Sequence, residues 1–454
     1  MVYTISRCVE IVAEDKASVW YEVLVAFLAS IPFFTHGIEC TSLSSSPHAG
    51  HFITSDGVPW STTALVLTSV ASAPIFSFCI DRLGRRGGIF IITLVQGASL
   101  IPLFLLNTTN TIILHVLAGA SAGGLFTVIP AYIVEITSLS SRGFCLLIMM
   151  VMTSAGYMMR LVMTLEERMF LMAALVMLQA VLMLCICESP GFLMMTGNFH
   201  RSKKILSRLK RMPEESPSLL KQIGVLKDES ELAKSRGKIG LITFYRNKIW
   251  WDALKIGLLL YTSMVLCGSI VFLDQEKTLM QLDVDFDSEH VLVLAAMFAG
   301  SLTSIACVTF LDRKYLLTVG YVIMALSSGV LAVYTQGNLT VTALRWVPVA
   351  ALATLVFGYG LSWALPIVVL AEIFGTEIRA PILGFLFGYS QLIKLLHVHT
   401  FQYLEDNVGI YTLFYIFAGV NLYGAVYSLF AVPCIRNKSL RQIEKQMKRA
   451  PLPA

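Results

Sequence analysis

Charge is scarce in this sequence. Asp, Glu, Lys and Arg make up 14% of its 454 residues, against about a quarter in a soluble domain. That is too little to cover a water-exposed surface. Enzyme signatures are missing too. The chain shows no Walker A loop, no His-Glu-x-x-His and no nucleophile elbow between a strand and a helix, so nucleotide-driven pumping, zinc hydrolysis and serine acyl transfer are excluded. Its nine cysteines include no Cys-x-x-Cys pair and no Cys/His ligand spacing. Most of them, among them Cys79, Cys145, Cys185, Cys187, Cys267 and Cys307, lie in or beside apolar runs, where Cys behaves as a small hydrophobe. Neither a metal site nor a disulfide framework is expected, and no cofactor.

What the sequence has in quantity is apolar surface: 56% hydrophobic residues and a mean hydropathy of +0.73. These residues cluster in runs of about 20, the length that crosses about 30 Å of hydrocarbon as a helix. The runs are continuously apolar rather than alternating, and in lipid a spanning segment must satisfy its own backbone polar groups. An all-α membrane protein follows. Twelve runs are read: 19–42, 61–80, 88–106, 111–134, 143–164 and 169–187, then 253–275, 289–311, 315–336, 344–371, 381–403 and 410–433. The first is taken as a true span and not a cleaved signal, because Glu10, Glu14 and Asp15 precede it.

Lys and Arg fall on alternate loops. Arg82, Arg85 and Arg86, then Arg142, the long stretch Arg201 to Lys248, Arg313 with Lys314, Arg379, and the tail from Arg436 to Arg449 share one side. The opposite segments 43–60 and 276–288 carry only Lys277, against Asp283, Asp285 and Asp287. The positive-inside rule puts both termini in the cytoplasm. The net charge of +5 is then a matter of topology and of attraction to an anionic leaflet, with no nucleic acid as partner. Two sequons, at Asn107 and Asn338, fall outside on this topology, in very short loops.

The chain repeats itself. Glu372 lies 237 residues after Glu135, and Arg379 lies 237 after Arg142; Asp312-Arg313 lies 231 after Asp81-Arg82. Two six-helix pseudo-repeats are expected. The organisation is 1–190 and 250–435 as bundles, 191–249 as a linker with short helices, and 436–454 as a tail. Asp81, Glu135, Glu188 and Glu372 all sit at predicted helix ends, where an unpaired carboxylate is costly. Either they mark topology, or they form with Arg85, Arg86, Arg142, Asp312, Arg313 and Arg379 a salt-bridge network that links the halves and opens and closes.

At these residues the chain resembles a known family. Asp81-Arg82-Leu83-Gly84-Arg85-Arg86 resembles the D-R-x-G-R-R signature of the major facilitator superfamily. Pro130, Tyr132, Glu135, Arg142 and Gly143 resemble the P-x-Y-x-x-E…R-G motif of its sugar-porter branch. Glu188-Ser189-Pro190 with Gly197, Gly358-Tyr359-Gly360 with Glu372, Phe374 and Arg379, and Val432-Pro433 with Lys438-Ser439-Leu440 resemble further motifs of that branch. The likeness is greatest to the insect facilitated trehalose transporter-like group. It implies the twelve-helix fold and transport of a sugar or other small polar solute by alternating access, facilitative by default.

The departures fall on the substrate positions. Thr262, Ser263 and Gly268 stand where the family has amides; Pro366-Ile367, Ser390-Gln391 and His115 replace Pro-Trp, Asn-Trp and an Arg. The second signature is three residues shorter, and Cys434 replaces an acid. Candidate cavity residues are His36, Glu39, His115, Arg160, Thr262, Ser263, Trp363, Gln391, Lys394, His397 and His399. Simple hexoses are expected to be carried poorly. Proton symport through Glu39, and a non-transporting nutrient sensor or interaction protein, stay open as alternatives. A monomer in a cell membrane is the default.

Overall fold

The structure is a computed structural model that describes residues 19–44, 60–105, 108–236, 244, 247–268, 286–337, 346–438 and 440–449. The sequons at Asn107 and Asn338, the acidic N-terminal residues, most of segments 43–60 and 276–288, and Ser439 lie outside the described residues. The regular elements among the described residues are helices. The first six long ones are α1 (Val19–Ser44), α2 (Trp60–Leu83), α3 (Arg85–Phe104), α4 (Thr108–Ile136), α5 (Arg142–Val162) and α6 (Leu165–Cys185). Three shorter helices, α7 (Pro190–Met195), α8 (Phe199–Lys210) and α9 (Pro217–Arg236), form the linker. Then come α10 (Lys248–Val265), α11 (Phe286–Cys307), α12 (Arg313–Gln336), α13 (Trp346–Ser362), α14 (Leu365–Ile373), α15 (Arg379–Val408), α16 (Ile410–Ala431) and the tail helix α17 (Leu440–Arg449).

Among the described residues ten stretches are long and apolar enough to cross a bilayer, α13 and α14 counting as one. The two remaining runs are α10 and the shorter apolar helix at Val291–Cys307 within α11. Two runs differ from the sequence expectation. The seventh ends as a helix at Val265, because Gly268 turns the chain with φ 91°. A Cβ there would meet the Phe417 ring, so glycine is required both for its torsion and for space. The tenth breaks at Trp363-Ala364. Pro366 has no N–H to give the carbonyl four residues back, which stops the helix of Ser362 from continuing, and the chain restarts as α14 with Pro366 in its first turn.

The two halves pack alike. In the first, α1 lies on α5, α2 on α4, and α3 on both α4 and α6. In the second, α10 lies on α15, α11 on α13, and α12 on both α13 and α16. Glycines set how closely these pairs approach: a Cβ on Gly123 would sit 2.7 Å from Ser69 O and 2.9 Å from Ala73 N. The halves meet through two matched pairs, α2 with α15 and α5 with α11, plus α15 against α4 and α14 against α4 and α5. At this seam Phe126 stacks on Phe387, centroids 4.6 Å apart. A Cβ on Gly384 would meet Thr127 Oγ1 at 3.1 Å and Ala73 O at 3.3 Å. These residues lie in the half of α4 and α15 nearer the Arg-bearing helix ends.

Lipid gives helices no hydrophobic reason to associate, so close packing at small residues carries the assembly. Gly123→Val should therefore lower the thermal midpoint in detergent sharply, since overpacking costs about 1–3 kcal/mol or more. Gly329→Ala, with nothing within 4 Å of the added Cβ, should hold or raise it, by at most about 1 kcal/mol. Equal shifts in the two variants would show that the α2–α4 contact does not depend on glycine.

Candidate functional site

Four helices begin with arginine: α3 with Arg85, α5 with Arg142, α12 with Arg313 and α15 with Arg379. A cation at a helix N-terminus opposes the helix dipole and needs a nearby anion. In the first half Glu135 supplies it. Its Oε1 accepts from Arg85 Nη2 at 3.0 Å and Nε at 3.2 Å, and its Oε2 accepts from the Ser189 hydroxyl. Arg85 is 1% exposed. Glu188 closes the same corner: its Oε1 accepts from the backbone N–H of Arg85, Arg86 and Ser189 at 2.9, 3.2 and 2.9 Å. Gly84 makes room, with φ 87° and Glu188 against the place of its missing Cβ. Arg86 donates to Met183 O and Leu184 O at the end of α6. Asp81 reaches Arg85 only at 3.8 Å and is largely exposed.

The second half repeats the core of this arrangement. Arg313 Nη2 donates to Glu372 Oε1 at 3.0 Å, with both side chains buried. Arg379 Nε donates to Ala371 O and Phe374 O, capping the end of α14. Asp312 is the N-cap of α12 without a side-chain capping bond. The repeat partner of Arg313 is therefore Arg85, the matching first residue of its helix, and not Arg82 as the 231-residue offset implies. The three-residue shortening of the second signature shifts the register. Arg82 instead lies over the Phe78 ring, 4.4 Å from its centroid.

The expected network between halves is thus mainly two pairs within halves. The contact across the seam is narrower. A Cβ on Gly143, the second residue of α5, would clash with the Arg313 guanidinium, so this glycine admits Arg313 to the other half. Arg142 lies within electrostatic range of Glu372. Both oxygens of Glu135 are hydrogen-bonded in their own half, whereas Glu372 Oε2 is buried with no hydrogen-bond partner among the described residues.

Deeper in the first half lies a buried polar cluster. Glu39 Oε1 accepts from Ser99 Oγ at 2.7 Å; its Oε2 accepts from Ser121 Oγ at 3.4 Å and faces His36 Nδ1 at 3.5 Å. His115, held by Thr111 O at 2.7 Å, lies in the electrostatic field of Glu39. In the second half Thr262 Oγ1 and Tyr389 OH are 2.8 Å apart, linking α10 to α15. Trp363 Nε1, at the helix break, donates to Ser301 Oγ at 3.2 Å and stacks on Tyr359. Ser263 is buried; Gln391 and Lys394 are half-buried on α15. His397 packs between Phe401 and Phe417, and His399 holds Leu395 O. Arg160 lies in the last turn of α5, where a cation suits the dipole. Sequence reading missed Ser99, Ser121, Tyr389 and, at the Arg-rich end, Glu22 and Lys210. The hydroxyl residues carry no signal against an apolar run, while Glu22, an acid inside the first span, was visible as an anomaly.

The fold and this duplicated charge pattern define a twelve-helix major facilitator, a multi-pass membrane transporter. The chain belongs to the family described as sugar (and other) transporter, whose pattern matches residues 26–447. It is 21% identical over 452 residues to the facilitated trehalose transporter Tret1 of Bombyx mori, covering 95% of this chain and 88% of that one. It is 22% identical over 421 residues to the Tret1 of Apis mellifera ligustica, covering 89% and 82%. Among solved structures, the proton:xylose symporter XylE bound to 6-bromo-6-deoxy-D-glucose superposes with TM-score 0.76 at 17% identity, covering 95% of this chain and 99% of that one. The inward-open form of XylE from E. coli gives 0.64 at 18% identity, covering 94% and 99%.

Removing one partner of a buried ion pair strands the other, at about 3–5 kcal/mol, whereas an exposed pair contributes about 0–1 kcal/mol. Glu135→Gln should therefore collapse surface expression and the thermal midpoint, while Asp81→Asn leaves both near wild type. Equal tolerance of the two, read by surface biotinylation and detergent melting, would show that Arg85 does not depend on Glu135.

Proposed function

We propose that this protein moves a sugar or other small polar solute across the plasma membrane by facilitative alternating access, as a monomer with both termini in the cytoplasm. The two bundles, 1–190 and 250–435, rock about the central seam, joined by the linker 191–249, with 436–454 as a cytoplasmic tail. The observation that carries this reading is the seam itself. Among the described residues, tight contact near the Arg-rich end is made by Gly143 with Arg313, Gly384 with Thr127 and Phe126 with Phe387. The fold also agrees better with ligand-bound XylE than with its inward-open form. Arg142, Arg313 and Glu372 act as the switch, because a partly satisfied carboxylate can be bound or released across the seam at little cost.

The relatives named as trehalose transporters direct the substrate reading to a disaccharide. Trp363 at the broken helix offers an aromatic face, in the place where discontinuous helices serve transporter sites, and Tyr389 with Thr262 supplies hydroxyls where the family's amides are lost. A sugar hydroxyl left unpaired costs about 1–3 kcal/mol, so glucose, with fewer contacts to spare, is carried poorly. A second reading, proton coupling, is favoured by one observation: Glu39 is 1% exposed yet held by His36, Ser99 and Ser121, and an ionisable residue at membrane depth is a functional candidate.

Trehalose and glucose uptake should be measured at equal surface expression in cells, with and without a protonophore. The expected result is saturable trehalose uptake that ignores the protonophore, weak glucose uptake, and a several-fold loss of trehalose affinity in Trp363→Ala, as about 1 kcal/mol of aromatic contact implies. Protonophore-sensitive uptake would shift the mechanism to symport through Glu39. Uptake of neither sugar would remove sugar as the substrate class.

A further inference from the structure

α1 starts at the Arg-rich end, where Glu22 accepts from Ser138 and Ser141 in the turn before Arg142, and runs to the opposite end. Cys40 lies about 27 Å farther along it than Glu22, at a rise of about 1.5 Å per residue. Phe33, His36 and Cys40, spaced by three and then four residues, share one face of the helix. That face looks onto the seam. The Phe33 and His36 rings stand edge-on to Phe126, with centroids 5.1 and 6.3 Å away, and Phe126 stacks on Phe387 of the other half. Cys40 is one turn beyond this contact, on the side away from the arginines, and is half-buried. The neighbouring face of α1 is closed by α5, since a Cβ on Gly37 would meet the backbone of Thr153 and Gly156.

Three side chains of different chemistry meet here. Cys40 Sγ stands 3.6 Å from His36 Nε2 and 4.0 Å from Nδ1. Glu39 Oε2 stands 3.5 Å from His36 Nδ1. Each ring nitrogen thus has its own neighbour, a thiol nearest one and a carboxylate at the other, which is the order of nucleophile, base and orienting acid in thiol chemistry. The carboxylate is fixed in turn by the hydroxyls of Ser99 and Ser121, and His115 of α4 lies in its field. His36 and Glu39 are 6% and 1% exposed. An imidazolium formed when the ring takes the thiol proton is therefore held between two anions with little water to screen it. A cationic histidine beside a cysteine raises its thiolate fraction, and the thiolate is the nucleophile. Cys267 shows the contrast of an inert thiol: it is buried and gives its S–H to Met264 O.

We propose that Cys40 is a modification site, a reactive thiol that takes small disulfides by exchange, with His36 as its base and Glu39 as the positioning residue. His36 removes the thiol proton, and the sulfur anion attacks one sulfur of the incoming disulfide. The S–S bond of that disulfide breaks, its second sulfur leaves as a thiolate, and Cys40 keeps the first in a mixed disulfide. The incoming disulfide is the oxidant, so no other electron acceptor enters, and a free thiol reverses the step. The adduct stands on the face of α1 that looks onto the seam. The site is independent of which solute the protein moves.

The test needs no transport. Purified full-length protein is mixed with dithiobis(nitrobenzoate), and the released thionitrobenzoate is followed by its absorbance. The Cys40 phase is the difference between the parent and Cys40→Ser, and mass spectrometry of the digested adduct confirms its place. At neutral pH His36→Gln should slow this phase about tenfold, because a thiol without its base is only a few per cent ionised there. Glu39→Gln should slow it several-fold, and it reads the same relay from the other end if His36→Gln folds poorly. Both deficits should vanish above the ordinary thiol pKa of about 8.5, where the thiol ionises unaided. A substitution that only closed access to the sulfur would stay slow at every pH, and that result would overturn the proposal. So would the lack of a Cys40 phase in the parent, or parental rates at neutral pH in both variants.

Discussion

An arginine placed first in a membrane helix faces the positive end of the helix dipole with few waters to screen it. This protein has four such arginines at one end of its bundle, and the rest of the site follows from how each is answered. Arg85 is answered through Nε and Nη2 by Glu135, with the Glu188 carboxylate over the start of its helix, while its Nη1 keeps only Asp81 at 3.8 Å. Arg313 is answered by Glu372, which keeps one oxygen without a hydrogen bond among the described residues. Arg379 spends its Nε on the end of α14. Both oxygens of Glu135 are therefore taken within the first half, while Glu372 leaves capacity for the half opposite. Buried ion pairs are poor sources of net stability but strong determinants of geometry once formed. That suits an element whose value lies in having two states.

The asymmetry has a sequence origin. Glu188 caps α3, but the matching place after α16 holds Cys434, a side chain in contact with Lys314 rather than an acid over the start of α12. The second signature has also lost three residues, which brings Asp312 to the N-cap of α12 without giving it a capping bond. The linker adds a further constraint through Glu22, whose carboxylate holds Lys210 of α8 and the 138–141 turn.

Much of this was legible beforehand. Helix type, number and approximate limits follow from run length and from the ban on unsatisfied backbone in lipid. The charge partners Glu135 and Glu372 follow from their shared offset. Register inside the shortened loop did not, because Asp-Arg repeats as a string while the spatial equivalence runs through the first helical residue; hence Arg85, not Arg82, matches Arg313. The ends of α10 and α13 were misjudged because hydropathy does not register a left-handed glycine at 268 or the missing N–H of Pro366. Pairing between distant elements, such as Glu22 with Lys210 or Thr262 with Tyr389, leaves no local trace in a single sequence.

The central claim is that Glu372, bonded to its own Arg313 and within electrostatic range of Arg142 in the other half, holds the Arg-rich end closed. Spin labels at Leu139 and Tyr315, exposed positions on the turn before α5 and in α12, report the separation of the halves at that end by pulsed electron–electron double resonance. The account predicts a short, narrow distance distribution in the parent and a longer population in Glu372→Gln. Identical distributions in the two proteins would contradict it.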